Sequence, residues 1–398
     1  MTILRPLILA LIAAALIIAF TNAPGTFDDY AFITWAKFLN PPGPFRGYAQ
    51  LSRVTDLDYP PIGITIMWAT IKLGHHFAWP DLQSFKLPLV LTTLAAPAIA
   101  YTRTRAADDA LILLLLITPF GLILGYTDVT YLPFLLAAFY LAEREIFWAA
   151  GLSLALCAFI KWQPIIFAPI FLIAAYRHAP SPKNFAKRAA PTTIFVIAVL
   201  LLYNPATVIH VLLTATSDNE FSAQGVNLAW LLSATFEYLH LGGLTFQPNG
   251  TITLLTTPSP ATAVNVAMTA LRYLFYAIFL AHLIIYALGP RTSSAFLISA
   301  TACAAAQFTF NTGVHENHFF VTLIAAFAAW QSKALDNFTF AACAAIALLN
   351  ILFFYGFGDG FNFTNLANID STIFLAIAEI LTYALILRQQ LQTCLAKP

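Results

Sequence analysis

The chain has 398 residues, 60% of them apolar and 9% charged, where ordinary soluble domains carry about 25% charged residues. A formal charge of +1 offers no basic surface to nucleic acid, and four cysteines without paired spacing imply neither a disulfide framework nor a zinc site. Soluble globular folds and nucleic-acid binders are thereby excluded, which leaves an all-α polytopic membrane protein.

Taken in order, apolar stretches near the bilayer-spanning length of about 20 residues predict twelve transmembrane helices, at 6–22, 85–102, 108–125, 128–142, 146–160, 163–177, 189–204, 268–288, 294–311, 318–332, 338–356 and 370–388. The first follows Arg5 in the manner of a signal peptide. Ala23 is followed by Pro24, which opposes cleavage, so a retained helix is expected. The whole of 1–398 reads as one integral membrane domain, with a first outer loop at 24–84 and a second large outer segment at 205–267. With the N-terminus cytoplasmic, every inner connection carries a cation, among them Arg103, Arg144, Lys187, Arg291 and Lys333. Most acids then fall on the outer face.

The stretch from Thr26 to Pro61 is the most unusual between any two apolar runs. It holds Asp28, Asp29, Asp56 and Asp58 together with Lys37, Arg46 and Arg53. Connections usually run only ~4–6 residues, and this one is too aromatic to be disordered. It is expected to floor an active site, with two amphipathic interfacial helices at Asp29 to Leu39 and Pro61 to Gly74.

Polar motifs recur at the outer mouths of the later helices. They are Asp58-Tyr59-Pro60-Pro61, Gly125-Tyr126-Thr127-Asp128, Lys161-Trp162-Gln163-Pro164, Asn227-Leu228-Ala229-Trp230, Arg272, and Gly313 through His318. One outward polar cavity is expected from them. Lys161, Arg272, His315 and His318 are the candidate cations for a phosphate. Asp58, Tyr59, Asp128, Gln163, Glu316 and Trp230 are the candidate substrate contacts.

Plainer readings stand beside these. Asp28 or Asp29 could cap the following helix, Asp29 the more naturally. Lys161 with Trp162, or Arg272 alone, could anchor a helix at the interface. Tyr59-Pro60-Pro61 could be a rigid turn opening a helix. His315-Glu316-Asn317-His318 is not the H-E-x-x-H of a zinc helix. Asp56-Leu57-Asp58 is the one D-x-D arrangement that could hold a divalent metal, and no other cofactor is implied. Glu379, within the last span, reads as a buried hydrogen-bonding group.

In order and in side, these motifs resemble the GT-C superfamily of polyprenyl-phosphate-sugar-dependent glycosyltransferases. The likeness is to bacterial mannosyltransferase-like proteins, related to the glucosyltransferases that use dolichyl-phosphate-glucose and to the GPI-anchor mannosyltransferases. It rests on Asp28 ahead of Trp35, on Asp58 through Ile62 as a D/E-Y-P-P-L/I element, and on Gly125 through Asp128 as a G-Q-x-D-like turn. Lys161 before the helix containing Pro169, and His315 through His318, complete it. Tyr126 stands where the family has Gln, and Asn317 where it has a cation. The resemblance covers about residues 26–325. It implies inverting transfer of a hexose, mannose by likeness, from a polyprenyl-phosphate donor to a glycan or lipid acceptor on the outer face of a bacterial plasma membrane, with a first-loop Asp as general base. The rival readings are a secondary transporter and an outer-face glycan enzyme of the O-antigen ligase or polymerase type. A nucleotide-sugar donor is not expected, since no Gly-rich phosphate loop follows a strand.

Overall fold

The computed structural model describes residues 4–216, 220–239, 244–249, 252–258, 263–355, 365–366 and 369–395. The first helices are α1 (Leu4–Phe20), α2 (Phe27–Phe38), α3 (Pro44–Val54), α4 (Pro61–His76), α5 (Asp81–Thr104) and α6 (Ala107–Thr118). Then come α7 (Leu132–Glu143), α8 (Phe147–Ile160), α9 (Ala168–Arg177), α10 (Pro182–Tyr203), α11 (Pro205–Thr216) and α12 (Leu228–Tyr238). A hairpin of β1 (Leu244–Asn249) and β2 (Ile252–Pro258) precedes α13 (Ala263–Leu288), α14 (Ser293–Phe310), α15 (Phe319–Gln331) and α16 (Asn337–Tyr355). A two-residue pair, β3 (Asn365–Leu366) with β4 (Ile369–Asp370), leads into α17 (Ser371–Leu395).

Six of these helices are long and apolar enough to cross a bilayer, at Asp81–Thr104, Pro182–Tyr203, Asn265–Leu288, Ser293–Phe310, Asn337–Tyr355 and Ser371–Leu395. Shorter apolar helices lie at Arg5–Phe20, Phe147–Ile160, Gln163–Arg177 and Pro205–Thr216. The chain is an integral membrane protein of helical class. Small β ladders are the departure from an all-α fold, and the hairpin occupies part of the expected outer segment 205–267. That segment also begins with an apolar helix, α11.

The segment 24–84, expected as a first outer loop with two helices, holds three, α2, α3 and α4. The additional one, α3, opens with Pro44 at its first turn, where the ring sets the helical φ and no N–H is lost from the ladder. It buries Tyr48 and Leu51 on one face. Helix α4 also starts on a proline, Pro61, and α10 starts on Pro182 behind Ser181, whose Oγ accepts from the Asn184 N–H at 3.3 Å.

Several predicted spans are not plain α-helix at the ends that carry the polar motifs. After α6 the chain makes a π turn at Pro119–Ile123, and α7 is preceded by a 3₁₀ turn at Thr127–Tyr131. Further 3₁₀ turns at Gln163–Phe167 and Glu316–His318 precede α9 and α15. Prolines at 119 and 164 remove a ladder donor in two of these turns, and such irregular turns leave carbonyls available for side chains.

The chain forms two compact units, Met1–Ala168 with Ala179–Ser217, and Pro169–His178 with Asp218–Pro398. In the first, α5 packs on α4, α6 and α7, and α8 packs on α4, α7 and α10. In the second, α14 lies against α13, α15 and α17. Its alanines at 300, 302, 304, 305 and 306 are all buried, and small side chains of this kind let helices approach closely where lipid gives no hydrophobic drive.

Candidate functional site

In the first unit, the turn between α1 and α2 meets the turn between the π segment and α7. The Thr26 N–H donates to Leu124 O at 3.0 Å and joins them. At this junction stands Asp29, 1% exposed, with neither carboxylate oxygen hydrogen-bonded. Two glycines wall it in. Gly25 (φ +76°) and Gly125 (φ +75°) hold the left-handed conformation, and a Cβ added to either would collide with the Asp29 carboxylate. Beside it the Thr26 Oγ1 is also buried and unpartnered.

Lys86, on the first turns of α5 and wholly buried, donates to Ala23 O at 2.5 Å and to Leu122 O at 2.8 Å. Its ammonium thus ties together the two turns that carry the glycines. The Asp29 carboxyl is pushed up to about 7. Burial is the main cause, the Lys86 charge opposes it, and the Asp28 charge adds to it.

The alternative capping role for Asp29 is not found. The N-cap of α2 is Thr26, without a side-chain cap bond, and Asp29 lies in the first turn with its carboxylate turned into the glycine pocket. Asp28 is exposed.

The Gly125 turn continues into a second buried group. Lys161 Nζ reaches the Tyr59 hydroxyl and lies 3.2 Å from Asp128 Oδ2. It sits 4.4 Å from the Tyr59 ring centroid, and Thr127 Oγ1 is 3.5 Å from the Tyr59 hydroxyl. Tyr59 is held from behind by Phe32 and Trp35 of α2, at ring distances of 4.7 and 5.9 Å, and its carbonyl accepts from the Tyr48 hydroxyl at 2.8 Å. Burial alone would lower the Lys161 ammonium, but the Asp128 charge and the Tyr59 phenol outweigh it and hold it above the usual lysine range. Burial pushes the Tyr59 phenol up to about 12, against the pull of Lys161. Next to this pair, Trp162 Nε1 and Gln163 Oε1 are buried without a hydrogen-bond partner. Asp56 and Asp58 are exposed on either side of buried Leu57. Among the described residues no group of three or more His, Cys, Asp or Glu is placed to hold a metal.

The second unit carries the remaining candidates. His315 Nε2 lies 3.8 Å from Glu220 Oε2, and the His315 and His318 rings are 5.3 Å apart. The His318 Nδ1 accepts from the His315 N–H at 3.4 Å, which closes the turn on itself. Glu316 faces α16, where its carbonyl accepts from Asn350 at 2.7 Å and its Oε1 from the Tyr355 hydroxyl at 3.1 Å. Arg272 Nε donates to Thr312 Oγ1 at 2.8 Å, just before this turn. Trp230 is buried, with its indole N–H given to Thr372 Oγ1 at 2.7 Å and its ring against Phe354. Its role in this structure is to lock α12 onto α16 and α17.

The candidate residues therefore fall into two groups. Asp29, Tyr59, Asp128, Lys161 and Gln163 belong to the first unit, and Arg272, His315, Glu316, His318 and Trp230 to the second. Lys86 is the residue that sequence reasoning missed. Its only signal was a lysine within the apolar register of a span whose own first turns offer Asp81 alone, an acid engaged elsewhere by Lys37 and His75. Compared with known proteins, the chain matches no family model and no curated protein.

Proposed function

We propose that the chain is a membrane glycosyltransferase that moves a hexose from a polyprenyl-phosphate carrier to a hydroxyl acceptor, with Asp29 as general base. The observation that carries this reading is the buried Asp29 carboxylate, whose two oxygens have no hydrogen-bond partner between two left-handed glycines. Buried polar atoms are nearly always satisfied, and one that is not asks for a ligand. A carboxyl brought to about 7 by burial is matched to proton abstraction near neutral pH.

In the proposed step the acceptor oxygen bonds to the anomeric carbon and gives its proton to Asp29. The bond from that carbon to the phosphate oxygen breaks, and the phosphate leaves with the electron pair. Lys161 remains an ammonium and so can stabilise charge on a departing phosphate. Trp162 Nε1 can donate to the sugar or the phosphate, and Gln163 Oε1 can accept from a sugar hydroxyl. Arg272, His315 and His318, in the second unit, are the remaining sequence candidates for holding a phosphate. Of the two first-loop acids, Asp28 is exposed and Asp29 buried, which makes Asp29 the proposed base. Twelve spans, a cytoplasmic N-terminus and an outer-face site in a bacterial plasma membrane complete the proposal.

A secondary transporter is the second reading, favoured by Lys86 and Glu379, two ionisable side chains buried inside candidate spans. One assay separates the two. Purified protein in nanodiscs is offered polyprenyl-phosphate mannose, polyprenyl-diphosphate glycan or a nucleotide mannose, with a broad set of glycan and lipid acceptors. Release of polyprenyl phosphate and glycosylated product from the first donor alone is expected. Turnover of the diphosphate glycan would assign a ligase or polymerase. Absence of turnover with proton-driven solute uptake in vesicles would assign a transporter.

A further inference from the structure

One groove is untouched by the chemistry above. It lies at the first turns of α10 and is lined by Trp148, Pro180, Asn184, Lys187, Arg188 and Pro191, with a volume of about 340 Å³. Small-molecule sites run from about 300 to 1,000 Å³. Residues 184, 187, 188 and 191 recur at helical spacing, so they share one face of α10. Among the described residues, no carboxylate lines the groove. Lys187 is exposed, and Arg188 lies with its guanidinium 5.4 Å from the centre of the Phe147 ring. One guanidinium nitrogen, Nη1, is buried with no acceptor. A buried N–H of this kind calls for an oxygen from outside the chain.

Just beyond the groove the two helices are in contact. A Cβ added to Gly151 of α8 would stand 2.6 Å from Thr192 Oγ1 of α10, so their spacing is set by backbone approach and the cationic end stays open. From the groove, the stripe on α10 continues through exposed Ile194 and Leu201. A cationic pocket thus runs without interruption into a bare apolar face. A free anion would use only the first part, whereas a membrane lipid has both a charged head and a chain.

We propose that this groove binds the phosphate head group of an anionic membrane lipid, with Lys187 and Arg188 on the phosphate and an acyl chain along α10. Arginine and lysine at such a place differ in kind: the guanidinium fork meets two phosphate oxygens at fixed angles, and the ammonium adds a mobile charge. Basic pockets between membrane helices are suited to such head groups. The proposal is independent of the glycosyltransferase reading.

The test uses the full-length protein, purified and stripped of lipid in detergent. Dioleoylphosphatidylglycerol, dioleoylphosphatidylcholine or inorganic phosphate is added, and binding is read by native mass spectrometry and by thermal unfolding. Retention of phosphatidylglycerol is expected, with a roughly tenfold weaker affinity in both Arg188→Gln and Lys187→Gln, the size of one lost charge-assisted hydrogen bond. Lys183→Gln, outside the groove, should bind as the parent does. Equal retention of phosphatidylcholine, or unchanged phosphatidylglycerol affinity in both groove variants, would overturn the proposal. So would an effect of inorganic phosphate as large as that of the lipid, which would leave an ion site only. If Arg188→Gln does not fold, Lys187→Gln decides alone, because that side chain is exposed.

Discussion

Asp29 and Asp128 are two buried carboxylates served by the same turn. Asp29 rests against Gly125, and Asp128 follows three residues later. Both are withdrawn from solvent, at 1% and 0% exposure. Asp128 has the Lys161 ammonium at 3.2 Å. The Asp29 carboxylate oxygens have no hydrogen-bonding side chain, and besides Lys86 only the Thr26 backbone N–H acts to lower the group. Lys86, the cation whose charge acts on it, donates its hydrogen bonds to the Ala23 and Leu122 carbonyls. Asp128 is held by its partner and fixes Lys161 and Tyr59. Asp29 is held by shape, and its lone pairs remain available for a proton. A charge satisfied within the fold is structural before it is chemical, and an unsatisfied one is the better candidate for the reverse.

The comparison breaks hardest at Lys161. Replacing it by Met leaves the Asp128 charge buried without its cation, which should destabilise the protein by about 3–5 kcal/mol and abolish transfer. Thermal unfolding in detergent together with the donor assay would measure both. A variant as stable as the parent would show that the ion pair is not what fixes this turn.

Asp29→Asn should act in the opposite sense on stability. The carboxyl titrates at about 7 in the fold, against 3.8 in an open chain, so the folded state favours the protonated acid. Its contribution to stability is complete below pH 3.8, falls as pH rises, and is gone above about 7. The parent should lose about 3 kcal/mol between pH 5 and pH 8 from this group, and Asp29→Asn should lose none of it. Activity should fall about 10²–10⁴-fold, the usual contribution of a general base. Stability profiles of identical slope in parent and variant would remove the buried ionisation from the account.

Much of this was readable in the sequence. Apolar runs placed most helices, and Tyr59, Asp128 and Lys161 were each singled out by the motif they stand in. What could not be read is which turns meet. Nothing local reveals that Leu124 accepts from Thr26, or that Gly25 and Gly125 face the same carboxylate, because those partners lie about a hundred residues apart in the chain. Without that contact an Asp in a first helical turn reads as a cap. Helix α3 was missed because Pro44 and Gly47 suggest a loop, although its buried face repeats at helical spacing. Lys86 looked like any lysine able to extend from a helix end to water, and its burial shows only once α1, α5 and the π turn are together.

Lys86→Met gives a finer test, because it separates tying the turns from tuning the acid. The Lys86 charge lowers the Asp29 carboxyl, so its removal should move the alkaline-rising limb of the pH–rate profile upward by about one pH unit. Loss of two hydrogen bonds to Ala23 and Leu122 should also reduce thermal stability. A purely structural lysine would lower stability and amplitude while leaving the limb where it was.

The smallest effect is expected at Asp28, and its sign is what makes it useful. The side chain is exposed and its charge is the third contribution to Asp29, one that raises the carboxyl where Lys86 lowers it. Water and salt screen an exposed charge strongly, within a Debye length of about 8 Å at physiological ionic strength. Asp28→Asn should therefore leave the maximal rate within about twofold of the parent and move the limb downward by only a few tenths of a pH unit. Low salt should enlarge that shift and high salt erase it, whereas the Lys86→Met shift, between buried groups, should hardly respond to salt. If Asp28→Asn instead removed turnover and Asp29→Asn did not, the base would be the exposed acid, and the glycine pocket around Asp29 would be a feature of packing alone.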